Sequence, residues 1–246
     1  MNFSIWYEYF RANQDHFAQI DWKENASLTL DEKSTITSSI RQFQRGEHSE
    51  GKHFLQYAKS MKDQSYIQAL QLFIKEEQDH AAVLGKFMDI HGIEKLKKDW
   101  LDNTFRWLRK LAGLECTITV LLTAEIIAMV YYKALDSATS SNLLQQICRQ
   151  IVIDEEMHLR FQTFALHILY HRKSKFSVFL SRIFHKVLMF GTIVLVWIYH
   201  AKVLNAGSYK FFSFFRSVFN EFKRCERMIK QEHLNLPVRK SVIHAA

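Results

Sequence analysis

The sequence is poor in the residues that make tight turns. It has seven glycines and one proline in 246 residues, whereas folds that contain many β-strands use both residue types at frequent turns. This scarcity excludes collagen-like, all-β and α/β architectures. We therefore expect an all-α protein that consists mostly of long helices.

Cysteine is also scarce. Cys116, Cys148 and Cys225 are odd in number and widely spaced, which excludes a secreted scaffold held together by disulfides. The N-terminal segment 1–17 carries acidic and aromatic side chains where a secretory signal needs an apolar run. These features favour a cytoplasmic protein, with association with a membrane as the alternative.

Apolar residues recur at helical spacing through most of the chain. The pattern predicts helices over 3–20, 33–61, 64–91, 103–138, 140–171, 176–204 and 208–233. We divide the chain into an N-terminal helical arm (1–32), a central bundle (33–171) and a helical C-terminal extension (172–246). Short turns near 62–64 and 139–141 would fold the bundle into two antiparallel hairpins.

The motif that carries chemistry is a repeated Glu-x-x-His. Each copy follows another glutamate by the same interval, and one constant offset relates the two copies at all three positions. The first copy comprises Glu47, Glu77 and His80, and the second comprises Glu125, Glu155 and His158. A single Glu-x-x-His, such as that of Glu50 and His53, means little, but this repeat is specific.

Helix geometry predicts that these six residues meet. Residues i and i+3 lie on one helix face, so each motif presents a carboxylate beside an imidazole. The upstream glutamate of each copy, across a short turn, would stand at a similar height on the neighbouring helix. We expect the six side chains to bind metal and to form the catalytic centre.

The ligand types indicate which metal would bind. Four carboxylates balance the charge of two ferrous ions, and oxygen-rich sites with some nitrogen suit iron or manganese better than zinc. We expect two iron ions, with manganese as an alternative at one or both positions. Glu50 and Glu115 are rival ligands, and Cys148 lies on the helix face of Glu155.

A purely structural network of buried glutamates and histidines is the alternative to a metal site. Glu125 argues against it, because it lies within the apolar stretch TVLLTAEIIAMVYY. An unpaired carboxylate buried there would be very costly.

The motifs resemble those of a known superfamily. EEQDH at 76–80 and DEEMH at 154–158 are similar to the paired motifs of soluble acyl-carrier desaturases, within the ferritin-like di-iron carboxylate superfamily. The stretches GEHSEGKHFL, LFIKEEQDHAAVLGKFM and TAEIIAMVYYKAL resemble a bacterial group of ferritin-like proteins. The resemblance covers about residues 35–170.

The resemblance implies a four-helix bundle with one long crossover and a bridged di-metal centre held by the six residues. Asp79 and Asp154 are implied as supporting residues around the ligands. If the site holds two ferrous ions, the chemistry that it permits is dioxygen activation. The favoured activity is therefore that of an oxidase or oxygenase on a small apolar or amphipathic substrate, with an electron donor that the sequence does not identify. The side chains available to line a substrate pocket are aromatic: Phe43, Phe54, Phe73, Tyr131, Tyr132 and Phe161.

Other functions are open at this point. A ferritin-like centre also suits iron handling or peroxide reduction, and a non-catalytic helical metal-binding protein would need the same ligands. The chain lacks the Cys-x-x-Cys pair of a rubredoxin iron site. The oligomeric state is also open, with a dimer as one alternative.

The C-terminal extension carries most of the excess positive charge. Residues 171–246 contain 14 Lys and Arg against 3 Asp and Glu, together with 13 aromatic residues. Three accounts compete: helices packed on the bundle with a basic outer face, attachment to an anionic membrane, and nucleic-acid binding, which is the least favoured. Residues 187–199 give 13 mostly apolar positions, fewer than a helix needs to span a bilayer.

Overall fold

The computed structural model describes residues 3–23, 27–48, 51–96 and 113–231. Every regular element within these ranges is a helix, and no strand occurs among them. The all-α prediction is therefore confirmed for the described part of the chain. The rival ligand Glu50, positions 103–112 of the helix expected over 103–138, and the C-terminal positions 232–246 lie outside the described residues.

Long helices dominate the described residues. In chain order they are α1 (Ser4–Ala12), α2 (Leu30–Glu47), α3 (Lys52–Ala58), α4 (Gln64–Ile90), α5 (Gly113–Ala138), α6 (Asn142–His171), α7 (Lys175–Ala206) and α8 (Phe211–Lys230). Four of them begin at a side chain that accepts a hydrogen bond from the backbone N–H three residues further on: Thr29, Asp63, Ser141 and Ser174. These caps satisfy N–H groups that a helix start leaves unpaired.

Four helices form the centre of the molecule. α2 packs against α4, α5 packs against α6, and α4 and α6 join the two pairs. The turn before Gln64 and the turn at 139–141 fall where the sequence predicted them. Leu, Ile and Phe side chains from all four helices share one apolar core.

Two predicted helices are shorter in the structure. The helix expected over 33–61 is divided, because α2 ends at Glu47 and α3 begins at Lys52. Gly51 stands at the division with φ +61°, and a Cβ there would lie 2.3 Å from Cδ1 of Ile74. The helix expected over 3–20 ends at Ala12, after which the chain continues as turns.

The C-terminal extension is part of the same core. α7 packs against α5 and α2, and α8 packs against α6 and α5. The turn between α7 and α8 lies so close to α5 that a Cβ on Gly207 would be 2.2 Å from the carbonyl oxygen of Ala134. The packing of these helices on the bundle is therefore shown, but the outer side of α7 is apolar rather than basic.

Within the described residues, two helices are long and apolar enough, by length and composition, to cross a membrane: α5 and α7. In α5, 72% of the apolar window is buried inside the protein, which is typical of a core helix. In α7, the buried share is 39%. α7 has 32 residues and contains an apolar window of 18 residues, which is longer than the 13 positions assigned to 187–199.

The close approach of Gly207 to α5 generates a stability prediction. We expect Gly207→Ala to lower the free energy of unfolding by about 1–3 kcal/mol, because the added methyl group meets a backbone atom that cannot move aside cheaply. Denaturant unfolding followed by circular dichroism measures the change.

Gly191→Ala is the matched control, since a Cβ at Gly191 meets nothing within 4 Å. Because Gly191 lies inside α7, this substitution should stabilise the protein by up to about 1 kcal/mol. Equal effects of the two substitutions would contradict the packing of the turn on α5.

Candidate metal centre

The structure brings together all six residues of the repeated motif. Glu47 is the last residue of α2, and the others lie within α4, α5 and α6. Five of the six are buried, and the side chain of Glu77 is 12% exposed. The predicted convergence on four helices is confirmed.

The six residues form two overlapping groups. In each group, one ligand atom per residue lies within 4.8 Å of every other. One group is Glu47, Glu77, His80 and Glu155, and the other is Glu77, Glu125, Glu155 and His158. Two residues, Glu77 and Glu155, belong to both groups. Each group could hold a metal ion, and the shared carboxylates would lie between two such ions.

Both imidazoles present Nδ1 to the carboxylates. His80 Nδ1 lies 3.9 Å from Glu77 Oε1 and 3.8 Å from Glu155 Oε1. His158 Nδ1 lies 2.9 Å from Glu77 Oε1 and 3.6 Å from the nearest oxygens of Glu125 and Glu155. Each Nδ1 is therefore surrounded by carboxylate oxygens on the inner side of its ring.

Several buried polar atoms of the cluster have no hydrogen-bond partner. They are both carboxylate oxygens of Glu155, Nδ1 of His80, and the pair Oε1 of Glu77 and Nδ1 of His158, which lie 2.9 Å apart without hydrogen-bond geometry. A buried polar atom left without a partner costs about 1–3 kcal/mol. Oxygen and imidazole nitrogen atoms that all face one space fit a bound cation, which would give each of them a partner.

The crowding of carboxylates shifts their pKa values in opposite directions. Burial, then repulsion from Glu77, raises the pKa of Glu47 to about 8. Burial and repulsion from Glu125 raise the pKa of Glu155 well above its usual value. Burial also opposes ionisation of Glu125, but contacts with Glu155 and His158 lower its pKa. Without a cation, the cluster therefore retains protons that isolated glutamates would lose.

The outer nitrogen of each histidine faces a carboxylate on the opposite helix. Nε2 of His80, on α4, lies 3.2 Å from Oδ2 of Asp154, on α6. Nε2 of His158, on α6, lies 3.0 Å from Oε2 of Glu76, on α4. With Nε2–H donating to a carboxylate, the Nδ1 lone pair points inward, as a metal ligand requires. The two histidines thus cross-link α4 and α6 in a reciprocal way.

The N-terminal arm contacts Glu76 and Asp154, the two carboxylates that face the outer nitrogens of the histidines and that we call the outer carboxylates. Asn13 Nδ2 donates to Glu76 Oε1 at 2.8 Å and to Asp154 Oδ1 at 3.2 Å. His16 Nδ1 lies 2.6 Å from Asp154 Oδ2. Burial opposes ionisation of Asp154, but its hydrogen bonds with His16 and His80 hold its pKa below the usual range. Asp154 is therefore a carboxylate that two imidazoles stabilise.

His16, His80 and Asp154 also form a third group whose atoms are close enough to hold an ion. Hydrogen bonds already account for this group, since Asp154 accepts from both imidazoles. Two other hydrogen bonds orient glutamates of the cluster. Tyr132 donates to Glu47 Oε1 at 2.7 Å, and Gln162 Nε2 donates to Glu125 Oε1 at 2.9 Å.

The other residues proposed from the sequence take different positions. Glu115 contacts Lys173 and Ser181, and Cys148 is absent from all three groups of candidate ligands among the described residues. Asp79 pairs with Lys75 and lies 3.9 Å from His16 Nε2. Asp154 supports His80 as expected, but the residue that supports His158 is Glu76.

Five of the six aromatic residues proposed as pocket lining are buried, and Phe43 is partly buried. The ring of Phe73 lies 4.6 Å from that of His158 and 5.8 Å from that of Phe161. Phe43 stacks on Tyr131 at 3.4 Å. These rings are therefore part of the packed core.

The comparisons with known proteins add no assignment: no protein-family model, curated protein or solved structure matches this chain. The geometry by itself supports a coarser statement. Buried clusters of glutamate, aspartate and histidine are present that could hold a metal ion.

The contacts of Asn13 generate a prediction about the arm. We expect Asn13→Ala to lower the free energy of unfolding by about 1–3 kcal/mol, because Glu76 and Asp154 would both lose a donor in a buried site. Arg11→Ala is the control on the same arm, since its ion pair with Glu8 is exposed and is worth less than about 1 kcal/mol. Equal losses in chemical denaturation would contradict the bridging role of Asn13.

Proposed function

We propose that this protein is a non-haem di-iron oxidoreductase that uses dioxygen to oxidise or hydroxylate a small apolar or amphipathic organic substrate. In this proposal α2, α4, α5 and α6 are a ferritin-like four-helix bundle. The single observation that carries the proposal is the pair of four-residue groups that share Glu77 and Glu155. Such sharing favours two neighbouring cations over one.

The charges of the cluster support two divalent ions. Four glutamates and two histidines with neutral rings carry four negative charges when fully ionised, and two ferrous ions neutralise them. The set contains four carboxylates and no thiolate, which favours iron or manganese over zinc. Two ferrous ions held by these residues would supply electrons for the reduction of dioxygen.

The protein's own residues have three tasks in this proposal. Asp154 and Glu76 hold the outer nitrogens of the two histidines, so that both rings keep a fixed tautomer and orientation. Tyr132 holds Glu47 by a hydrogen bond. The aromatic residues beside His158, Phe73 among them, exclude water and would favour an apolar substrate.

The first test is metal content. After anaerobic reconstitution with ferrous iron and removal of free metal, we expect about two iron ions per chain, as the bundle pattern implies. The double variant Glu155→Ala/His158→Ala should lose most of this iron, because it removes a shared carboxylate and one imidazole. Elemental analysis and circular dichroism measure loading and folding.

The matched control is Glu94→Ala/His53→Ala, which removes one exposed glutamate and one exposed histidine and should keep both ions. Addition of oxygen to the ferrous protein should produce near-ultraviolet absorption of ferric iron. Less than one ion per chain would refute the di-iron centre. Two ions that do not react with oxygen would refute the oxidoreductase and leave a metal-binding protein.

The outer carboxylates provide a second test. We expect Glu76→Ala to weaken iron binding about 10- to 100-fold, because His158 would lose the partner that orients it. Asp79→Ala removes a nearby carboxylate that pairs with Lys75 instead, so iron affinity should change little. Competition with a chelator measures both affinities. A larger effect of Asp79→Ala would contradict the assignment of Glu76 as the support of His158.

A further inference from the structure

α7 exposes an apolar face along most of its length. Large apolar residues recur there at helical spacing from Phe176 to Phe190, and Ile198 follows on the same side about two turns later. Their exposed fractions range from 42% to 70%. This α7 apolar face comprises Phe176, Phe179, Leu180, Ile183, Phe184, Val187, Phe190 and Ile198. A continuous exposed apolar surface of this kind marks an interaction site.

The opposite side of α7 is already occupied by the protein. Met189, Ile193 and Val196 are buried there, and α7 packs against α2, α5 and α8. Among the described residues, none covers the α7 apolar face, as the exposed fractions of its side chains show.

Basic residues flank this face. α7 contains no aspartate or glutamate, and the exposed Lys175 and Lys186 lie on one edge of the face. Arg182 lies between them in sequence, but its guanidinium lies over the ring of Tyr170. The apolar surface continues onto α8, where Phe190 contacts Phe215 at 6.4 Å between ring centroids and Phe212 is 79% exposed. An apolar centre with a basic edge is complementary to anionic lipid.

We propose that the α7 apolar face docks the protein on an anionic lipid bilayer, with α7 lying in the plane of the interface. The apolar side chains enter the boundary between headgroups and acyl chains, and the basic edge contacts lipid phosphates. α7 does not cross the bilayer in this arrangement, because its other side stays packed on the protein. The proposal does not depend on the metal centre.

Charge also argues against the two other candidate partners, a second copy of this chain and a nucleic acid. A symmetric dimer through this face would place the basic edges of two copies beside an apolar contact, and α7 has no acidic residue to pair with them. A nucleic acid would place phosphates against the apolar centre, which offers them no counter-charge. An anionic bilayer offers acyl chains to the apolar centre of the face and phosphates to its basic edge.

Vesicle flotation of the full chain tests the proposal. We expect binding to vesicles of equal parts phosphatidylglycerol and phosphatidylcholine at low salt, and much weaker binding to phosphatidylcholine alone. The variant Phe179→Ser/Val187→Ser/Phe190→Ser should lower the partition coefficient at least about tenfold, because three apolar side chains leave the lipid. Since these side chains are exposed, the variant should fold, which circular dichroism checks.

Two further variants define the specificity. Leu30→Ser/Ile153→Ser removes apolar side chains that are exposed elsewhere, by 89% and 41%, and should bind vesicles like the unmodified protein. Lys175→Gln/Lys186→Gln should weaken binding to anionic vesicles about fivefold per charge and leave binding to neutral vesicles unchanged.

Three results would overturn the proposal. One is the absence of binding to anionic vesicles at low salt. Another is equal binding by the α7 variant and the Leu30→Ser/Ile153→Ser control. The third is a dimer in light scattering that the α7 variant dissociates, since self-association would then cover the face. None of these results bears on iron content, so failure here is distinguishable from failure of the di-iron proposal.

Discussion

Electrostatic repulsion among four glutamates in a nearly dry interior is the constraint on which the rest of the structure depends. Carboxylates buried this closely cannot all ionise without compensating positive charge. The raised pKa values of Glu47 and Glu155 express this conflict in the absence of a cation. A fold that keeps such a cluster gives up stability that apolar residues would have supplied, which favours a functional role for these side chains.

The reciprocal pairs of histidine and carboxylate turn this cluster into a fixed geometry. Asp154 holds His80, and Glu76 holds His158. α4 and α6 therefore each carry a carboxylate that orients the histidine of the other helix. Asn13 then joins the two supports from the N-terminal arm. A shift of the arm would therefore reach both imidazoles through hydrogen bonds, so the arm supports the cluster in addition to packing its buried aromatic residues against α4.

The sequence predicted the six cluster residues because helical spacing determines which residues share a face, and the repeat reveals which faces meet. The offset between the two copies of the motif also relates Glu76 to Asp154, so the missed support of His158 was detectable. The roles of Asn13 and His16 were not detectable from the sequence, since no periodicity links the arm to the motifs. The break in the helix after Glu47 was also not detectable, because Gly51 packs against Ile74 there and these residues are distant in sequence.

α5 lies between the buried cluster and the α7 apolar face, the two features on which the proposals rest. Its residues are apolar almost all round, and it packs against α6 within the bundle and against α7 and α8 outside it. One side of α5 places Glu125 in the cluster, and the neighbouring helix α7 carries the exposed apolar face. A helix that is buried on all sides needs a cover on its outer side, and α7 supplies it. Because that cover is itself apolar on both sides, its outer side favours an apolar environment.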